Sequence, residues 1–316
     1  MQATQFFFIV GRPRSGTTLL LTILDANPHV LIPVEWPVIS KLLPKYRHIS
    51  YFNKEILSEF INDIENCRFH DHYGYKDMNF RHEVIREKIL TCPPDITFNH
   101  LISIVYSHYQ SLFEKKEILA LGDKNPVASR QIKDLLLTFP EAKFIHISRD
   151  YRDHTVSMIN AGFGQKNIPL IVYRWNKYQQ ILLKAYRKHP GRFFRLKYED
   201  MVDNPEKWIR QICEFINIPY YPQMLDFHKN KLDSLYPKDL SKKYQLSLAQ
   251  AINKGRTGIW QGKFSNQELK IMDFLAGKMA DEYGYSRNFK GISLKGLYFK
   301  IRFGLRGFLK MSRMEK

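Results

Sequence analysis

The residues that could do chemistry begin with a glycine loop at residues 11–18, which reads Gly-Arg-Pro-Arg-Ser-Gly-Thr-Thr. The spacing of Gly11 and Gly16 lets backbone N–H groups surround a phosphate-like anion where a helix begins. A nucleotide triphosphatase would carry a lysine directly after the second glycine. Thr17 stands there instead, and positive charge sits inside the loop at Arg14. The pattern favours transfer of a group less charged than a terminal phosphoryl group, and it predicts a reaction without a metal.

The elements that must hold this loop alternate between strand and helix. Short apolar runs predict buried strands at residues 6–10 and 118–121, and two further strands are predicted at residues 143–148 and 193–198. Predicted helices follow them, so the fold class is α/β, with a P-loop-type parallel sheet flanked by helices on both faces. Ligands of such folds lie beyond the carboxyl ends of the strands. We expect one domain over residues 1–286, with a helical insertion on the acceptor side at about 40–115, and a basic amphipathic tail over residues 287–316.

Composition restricts the partners and the compartment. The chain of 316 residues carries a net charge of +18, which indicates a polyanionic partner: a nucleotide with several phosphates, a nucleic acid or an anionic membrane. Three cysteines are too few for a disulfide framework, and neither a signal peptide nor an apolar stretch long enough to cross a bilayer stands out. These features predict a cytoplasmic protein. Cys67, His70 and His72 lack a fourth ligand at suitable spacing, so no metal site is predicted.

The glycine loop resembles the 5′-phosphosulfate loop of sulfotransferases that use 3′-phosphoadenosine 5′-phosphosulfate (PAPS), in the PRSGTT form of tyrosylprotein and many bacterial members. Three other segments are similar to that family. Residues 144–149, with Ser157 eight residues beyond Arg149, resemble its 3′-phosphate segment; residues 195–200 resemble the strand end whose tyrosine approaches the adenine. Residues 253–260 resemble the loop that closes over the 3′-phosphate, although Asn253 replaces its first arginine. The resemblance extends over about residues 5–265 and is poor at 40–115.

The resemblance implies a set of donor-binding residues, to which a contact from Arg256 is added by inference. An arginine after a strand is often a surface cation, and a tyrosine such as Tyr198 often belongs to the core, so these plainer interpretations remain open. The set is Arg12, Arg14, Ser15, Gly16, Thr17, Thr18, Arg149, Ser157, Tyr198, Lys254, Gly255 and Arg256.

In-line attack on sulfur requires a base for the acceptor hydroxyl and positive charge for the leaving oxygen. Glu35 is the candidate base, since its apolar setting predicts a raised pKa and the tyrosylprotein enzymes carry a glutamate at this distance from the loop. Small-molecule sulfotransferases use a histidine in a segment that corresponds here to residues 123–126, where Lys124 takes its place. Lys124 is therefore expected to stabilise the leaving oxygen together with Arg14. A surface glutamate and a surface lysine are the alternatives.

The acceptor is the least determined part. Aromatic residues between 46 and 115 could line a pocket for a sterol, lipid or phenol, or could simply form core; a carbohydrate or peptide hydroxyl stays open. The expected reaction gives a sulfate ester and 3′-phosphoadenosine 5′-phosphate (PAP). The tail could lie on an anionic membrane or pack on the domain. The rival classes are a P-loop kinase or NTPase and a nucleic-acid- or membrane-binding protein without catalysis; a nucleic-acid partner is not predicted.

Overall fold

The computed structural model of the protein describes residues 4–69, 73–162, 167–230 and 251–312. At least one helix separates each strand of the main sheet from the next, as the sequence predicts. The strands are β1 Gln5–Val10, β2 Val30–Leu31, β3 Arg68–Phe69, β4 Tyr73–Gly74, β5 Ala120–Lys124, β6 Lys143–Ser148 and β7 Phe193–Lys197. The α-helices are α1 Thr17–Asp25, α2 Val38–Tyr46, α3 Lys54–Glu65, α4 His82–Leu90, α5 Phe98–Ser107, α6 Ile132–Thr138, α7 Tyr151–Asn160, α8 Ile168–Lys188, α9 Tyr198–Asp203, α10 Pro205–Phe215, α11 Asn266–Glu282 and α12 Leu294–Ser312.

Five strands form one parallel sheet in the order β2-β5-β1-β6-β7, and β3 pairs with β4 in a short antiparallel hairpin. The central strand β1 is buried without interruption from Phe6 to Val10, because helices cover both faces of the sheet. Gly122 of β5 has no side chain, and a Cβ there would approach the Phe7 ring to 2.6 Å. The fold class predicted from the sequence is confirmed.

Two element boundaries differ from the prediction. The second long strand was expected at residues 118–121, but β5 runs from Ala120 through Lys124 and so includes Gly122 and Asp123. The strand expected to reach residue 198 ends at Lys197, and Tyr198 begins α9. Polar residues continue β5 because they have buried partners, which a pattern of apolar residues does not reveal.

The region between β2 and β5 contains α2 to α5 and the β3–β4 hairpin. Its aromatic residues mostly pack on one another: Tyr46 contacts the rings of Phe52, Phe60 and Phe98. The buried members of the set considered at the sequence level are Tyr46, Phe52, Phe60, Tyr75, Phe80 and Tyr106. In this structure these six side chains belong to the core; Tyr51 is exposed.

A second apolar cluster joins the C-terminal elements to the domain. Tyr151 of α7 and Trp175 of α8 pack in it with the inner face of α11. Helix α12 adds Phe303, whose ring lies 5.4 Å from that of Tyr173. The tail therefore packs on α8 and α11 by one of its faces.

Candidate active site at the carboxyl edge of the sheet

The candidate residues lie at the carboxyl ends of the five parallel strands, so the strand order sets their order in space. The glycine loop follows central β1, and Lys124 ends β5, where it is paired in register with Ile9. Glu35 comes four residues after β2, beyond β5. On the other side of the loop, Arg149 follows β6 and Tyr198 follows β7. One edge of the sheet thus carries Glu35 and Lys124, then the glycine loop, then Arg149 and Tyr198, in that order in space.

The glycine loop is held in an unusual backbone conformation. Gly16 has φ 92° and directly precedes α1, and a Cβ there would lie 2.5 Å from Cδ2 of Tyr198. Arg14 has φ 69°, the left-handed region that side chains seldom adopt and that is common at functional sites. Gly16 thus lies directly against the ring of Tyr198, which is the first residue after β7.

Two buried side chains that the sequence did not single out brace the loop. The Gly11 N–H donates to Oγ of Ser129 at 3.1 Å. Nε2 of His154 lies 3.1 Å from the Pro13 carbonyl oxygen, which can only accept, so Nε2 carries the proton. Burial, with Arg12 and Arg149 nearby, holds the pKa of His154 well below its usual range, which keeps the ring neutral. His154 lies within the segment that resembles the 3′-phosphate motif; no sequence signal pointed to Ser129.

Arg149 connects three parts of the site. Its Nη1 donates to the Arg14 carbonyl at 3.0 Å, and its Nη2 donates to the Arg256 carbonyl at 2.5 Å. The guanidinium lies 4.8 Å from the centre of the Tyr198 ring. Arg14 in turn donates from Nε to Oγ of Ser157 at 3.3 Å. Among the described residues nothing hydrogen-bonds to the buried Nε of Arg149.

A cavity of about 350 Å³ opens beside these groups. Arg14, Arg149 and Ser157 bring two guanidinium groups and a hydroxyl to its wall. The wall is completed by Gly16, Thr17, Thr18, Leu19, Tyr198, Ala251, Ile252, Asn253, Gly255 and Arg256. Positive side chains around a helix N-terminus form a site for anions.

The segment 253–260 borders the cavity and is fastened by Asp153 of α7. That carboxylate accepts the N–H of Gly258 at 2.7 Å and the N–H of Trp260 at 3.0 Å. The Trp260 ring lies 4.0 Å from the Arg152 guanidinium, which is itself paired with Asp150. Asp153 is a supporting residue that the sequence analysis did not assign, although it lies between Arg149 and Ser157 in the chain.

Glu35 and Lys124 form an ion pair. Nζ of Lys124 donates to Oε2 of Glu35 at 2.5 Å; the lysine side chain is 1% exposed and the glutamate side chain 23%. A charge-assisted bond of this kind fixes the direction of the carboxylate. The pair lies outside the cavity lining, at the ends of the strands next to the loop.

A second carboxyl group, that of Asp123, is buried beside this pair. Oδ1 accepts the Tyr106 hydroxyl at 2.7 Å, and Oδ2 has no hydrogen-bond partner among the described residues. Burial raises the pKa of Asp123 to about 7, against the opposing effects of the Tyr106 hydrogen bond and of Lys124. Asp123 therefore changes its charge near neutral pH, directly before the lysine in the chain.

Three of the twelve implied donor-binding residues do not line the cavity. Arg12 is buried against the Tyr178 ring, and burial with Arg174 and Arg130 nearby lowers its pKa to about 10. Ser15 is buried within the loop, and exposed Lys254 forms an ion pair with Asp203. His70 and His72 lie outside the described residues. Within the described ranges, no three His, Cys, Asp or Glu side chains come together as a metal site.

The chain is similar to known sulfotransferases in sequence and in fold. Protein-tyrosine sulfotransferase 1 of Danio rerio is 26% identical over 280 residues, which are 86% of this chain and 70% of that protein. The omega-hydroxy-beta-dihydromenaquinone-9 sulfotransferase of Mycobacterium bovis is 25% identical over 320 residues, 89% of this chain and 75% of that protein. The sulfotransferase domain of the Synechococcus PCC 7002 olefin synthase has the same fold, with a TM-score of 0.61, 19% identity and coverage of 90% of this chain and 97% of that domain.

The model of the sulfotransferase family matches residues 7–222 of this chain. These residues include the glycine loop, Glu35, Lys124, Arg149 and Tyr198. The match confirms the class of enzyme that the loop and its partner segments imply, and it excludes the kinase alternative. This chain belongs to the sulfotransferase family, and it is an enzyme.

Proposed function

We propose that the protein transfers a sulfuryl group from PAPS to the hydroxyl of a small apolar alcohol, such as a sterol, lipid or phenol, leaving PAP. The observation that supports PAPS as the donor is the cavity beside α1, whose wall contains Arg14, Arg149 and Ser157. Guanidinium groups and a hydroxyl are donors that bind phosphate well. The ring of Tyr198, on the same wall, offers an apolar surface for the adenine.

The acid–base work falls to the pair next to the loop. Glu35 takes the proton of the acceptor hydroxyl while that oxygen forms its bond to sulfur. The bond between sulfur and the 5′-phosphate oxygen breaks at the same time. Lys124, Arg14 and the N–H groups before α1 face the charge that develops on the leaving oxygen. Lys124 also orients the base, through its bond to Oε2 of Glu35.

Support for an apolar acceptor is of two kinds. Val34 and Trp36, on either side of Glu35, are both buried, so the base lies in an apolar part of the chain. The Mycobacterium bovis relative is named for a lipid alcohol, whereas the Danio rerio relative is named for a protein tyrosine. A peptide or carbohydrate hydroxyl is therefore the second acceptor class to test.

The decisive experiment supplies PAPS with a radiolabelled sulfuryl group, without added metal, to the purified chain. The acceptor panel contains sterols, phenols, lipid alcohols, sugars and a tyrosyl peptide. We expect label in one or more of the apolar alcohols and in none when Arg14 is replaced by alanine. Transfer only to the sugar or the peptide would overturn the proposal of an apolar alcohol as acceptor. A separate PAP titration tests the donor, and a chain that does not bind PAP would overturn the proposal of PAPS.

The compartment is also proposed as cytoplasmic. Cys67, Cys92 and Cys213 are all free thiols, and Cys67 and Cys213 are buried. Such unpaired thiols are characteristic of a reducing compartment, which supports this location.

A further inference from the structure

Helix α12 has an apolar row on the side that faces away from the protein. Leu294, Tyr298, Ile301 and Leu305 recur at intervals of four, three and four residues, so they share one face of the helix. All four are exposed, from Leu294 at 80% to Ile301 at 54%, and Leu297 beside them is also exposed. An exposed apolar row of this kind marks an interaction surface.

The packing of α12 explains why this row cannot turn inward. Gly296 and Phe303, on the opposite face, are buried, and Phe303 stacks with Phe299 against Tyr173 of α8. A Cβ on Gly296 would lie 2.6 Å from the Phe274 ring, so the helix sits close to α11. The inner face of α12 is therefore already buried against α8 and α11, whereas the outer row is exposed and available to a partner.

The charge around α12 indicates what that partner is. From residue 287 to the end, the sequence holds nine Lys or Arg and one acidic residue. Lys295 and Arg302 are exposed at the border of the apolar row. The cavity beside the helix, about 520 Å³, has five cationic side chains in its wall: Lys177, Lys278, Arg287, Lys290 and Lys300. Of these, Arg287 is paired with Asp281.

From this combination we infer that α12 is a docking helix for an anionic lipid bilayer, with its outer apolar row inserted among the headgroups and its basic residues on their phosphates. Within the described part of the chain, no helix is long and apolar enough to span a membrane. A helix with one apolar face and a basic border lies in the plane of the interface. Apolar insertion and attraction to anionic lipids add together in such helices. A second copy of the chain would bring the same positive charge against itself, which disfavours a self-association surface.

The test uses the full-length chain and sedimentation with lipid vesicles, one set of pure phosphatidylcholine and one with a third of phosphatidylglycerol. We expect binding to the anionic set, weakened by salt. The triple variant Leu294→Ser, Ile301→Ser, Leu305→Ser should lose binding on the order of tenfold or more, as should Lys295→Glu with Arg302→Glu. Leu137→Ser on α6 is the matched control, since Leu137 is equally exposed at 79% and should leave binding unchanged.

Vesicle binding requires neither donor nor acceptor, so its outcome is independent of the proposed sulfuryl transfer. Equal binding to neutral vesicles, or full binding by the triple variant, would overturn the inference. Light scattering on wild type and the triple variant, without vesicles, measures the oligomeric state of each. If the triple variant converts a dimer into a monomer, the row is covered by a second copy of the chain and the lipid assignment is wrong.

Discussion

At the residue scale, the proposed chemistry depends on a carboxylate whose direction is set by a neighbouring lysine. Lys124 is almost fully buried, and its ammonium group contacts Glu35. The lysine cannot leave this position without losing a charge-assisted bond in a site shielded from water. In the proposed mechanism, the Lys124 side chain both orients the base and stabilises the leaving oxygen.

Replacing Glu35 by glutamine should slow turnover by about 10²- to 10⁴-fold, the usual contribution of a general base. PAP binding should stay near the wild-type level, because Glu35 does not line the donor cavity. Transfer rates and titration calorimetry with PAP measure the two effects separately. The exposed Glu55→Gln on α3 is the control. Near-normal turnover in Glu35→Gln would remove Glu35 from the role of base.

The stability of the protein should depend on the charge of Asp123. Burial raises the pKa of Asp123 from the ordinary value of 3.8 to about 7, so between these pH values the folded state retains a proton that the unfolded state has lost. Stability is then highest below pH ~4 for this group and declines as pH rises towards 7. From pH 5 to pH 8, wild type should lose about 3 kcal/mol of its free energy of unfolding through this group. Asp123→Asn should not show this loss, so its stability relative to wild type rises by that amount.

Urea unfolding at those two pH values measures this gain. The exposed Asp95→Asn is the matched control and should show no pH-dependent difference from wild type. A constant difference between Asp123→Asn and wild type at both pH values would mean that Asp123 does not titrate in this range.

At the scale of elements, one carboxylate of α7, that of Asp153, accepts two backbone N–H groups of the segment 253–260. Asp153→Asn can accept only one of the two N–H groups of Gly258 and Trp260, and it loses the negative charge. We expect PAP affinity to fall on the order of tenfold, since charged hydrogen bonds contribute about 1.5–3 kcal/mol. Hydrogen exchange at the Gly258 and Trp260 amides should speed up in parallel.

The matched control is Asp203→Asn, which removes the exposed ion pair with Lys254 on the same segment. Surface ion pairs contribute little, so PAP affinity should hardly change. If both variants weakened PAP binding equally, the buried carboxylate would have no special part in closing the segment.

The elements show what the sequence could and could not predict. The predicted strand at residues 143–148 gave β6 with its observed bounds, because Phe144, Ile145 and Ile147 supply buried apolar side chains to a strand covered on both faces. Strand β5 was misplaced because its last residues, Asp123 and Lys124, are polar. They remain in the strand through contacts with Tyr106 and Glu35, which are far away in sequence.

The same reason explains the supporting residues of the site. The cavity-lining residues could be proposed from local motifs, because the glycine loop and the arginine after β6 are each contiguous in the chain. Ser129 and His154 act on the loop from distant segments, and no local pattern distinguishes them from ordinary core residues. The identity of the wall at residues 251–253 likewise depends on tertiary packing.

At the scale of the whole molecule, the net charge of +18 should act on donor affinity beyond the direct contacts. Raising ionic strength from ~0.05 M to ~0.5 M shortens the Debye length to a few ångströms and should weaken PAP binding by roughly tenfold or more. Adenosine 5′-phosphosulfate, which lacks the 3′-phosphate, should show a shallower salt dependence. Titrations at several salt concentrations give both slopes, and equal slopes would contradict an anchor for the 3′-phosphate at Arg149.

The contact between Gly16 and Tyr198 limits how this molecule can be redesigned. A methyl group on Gly16 would collide with the tyrosine ring, so Gly16 cannot be replaced by a larger residue while Tyr198 keeps its ring. Shortening Tyr198 leaves Gly16 in place and opens a ring-sized space on the cavity wall. If the adenine lies on Tyr198 as proposed, a smaller residue at position 198 alone should let the enzyme accept a donor with a bulkier base.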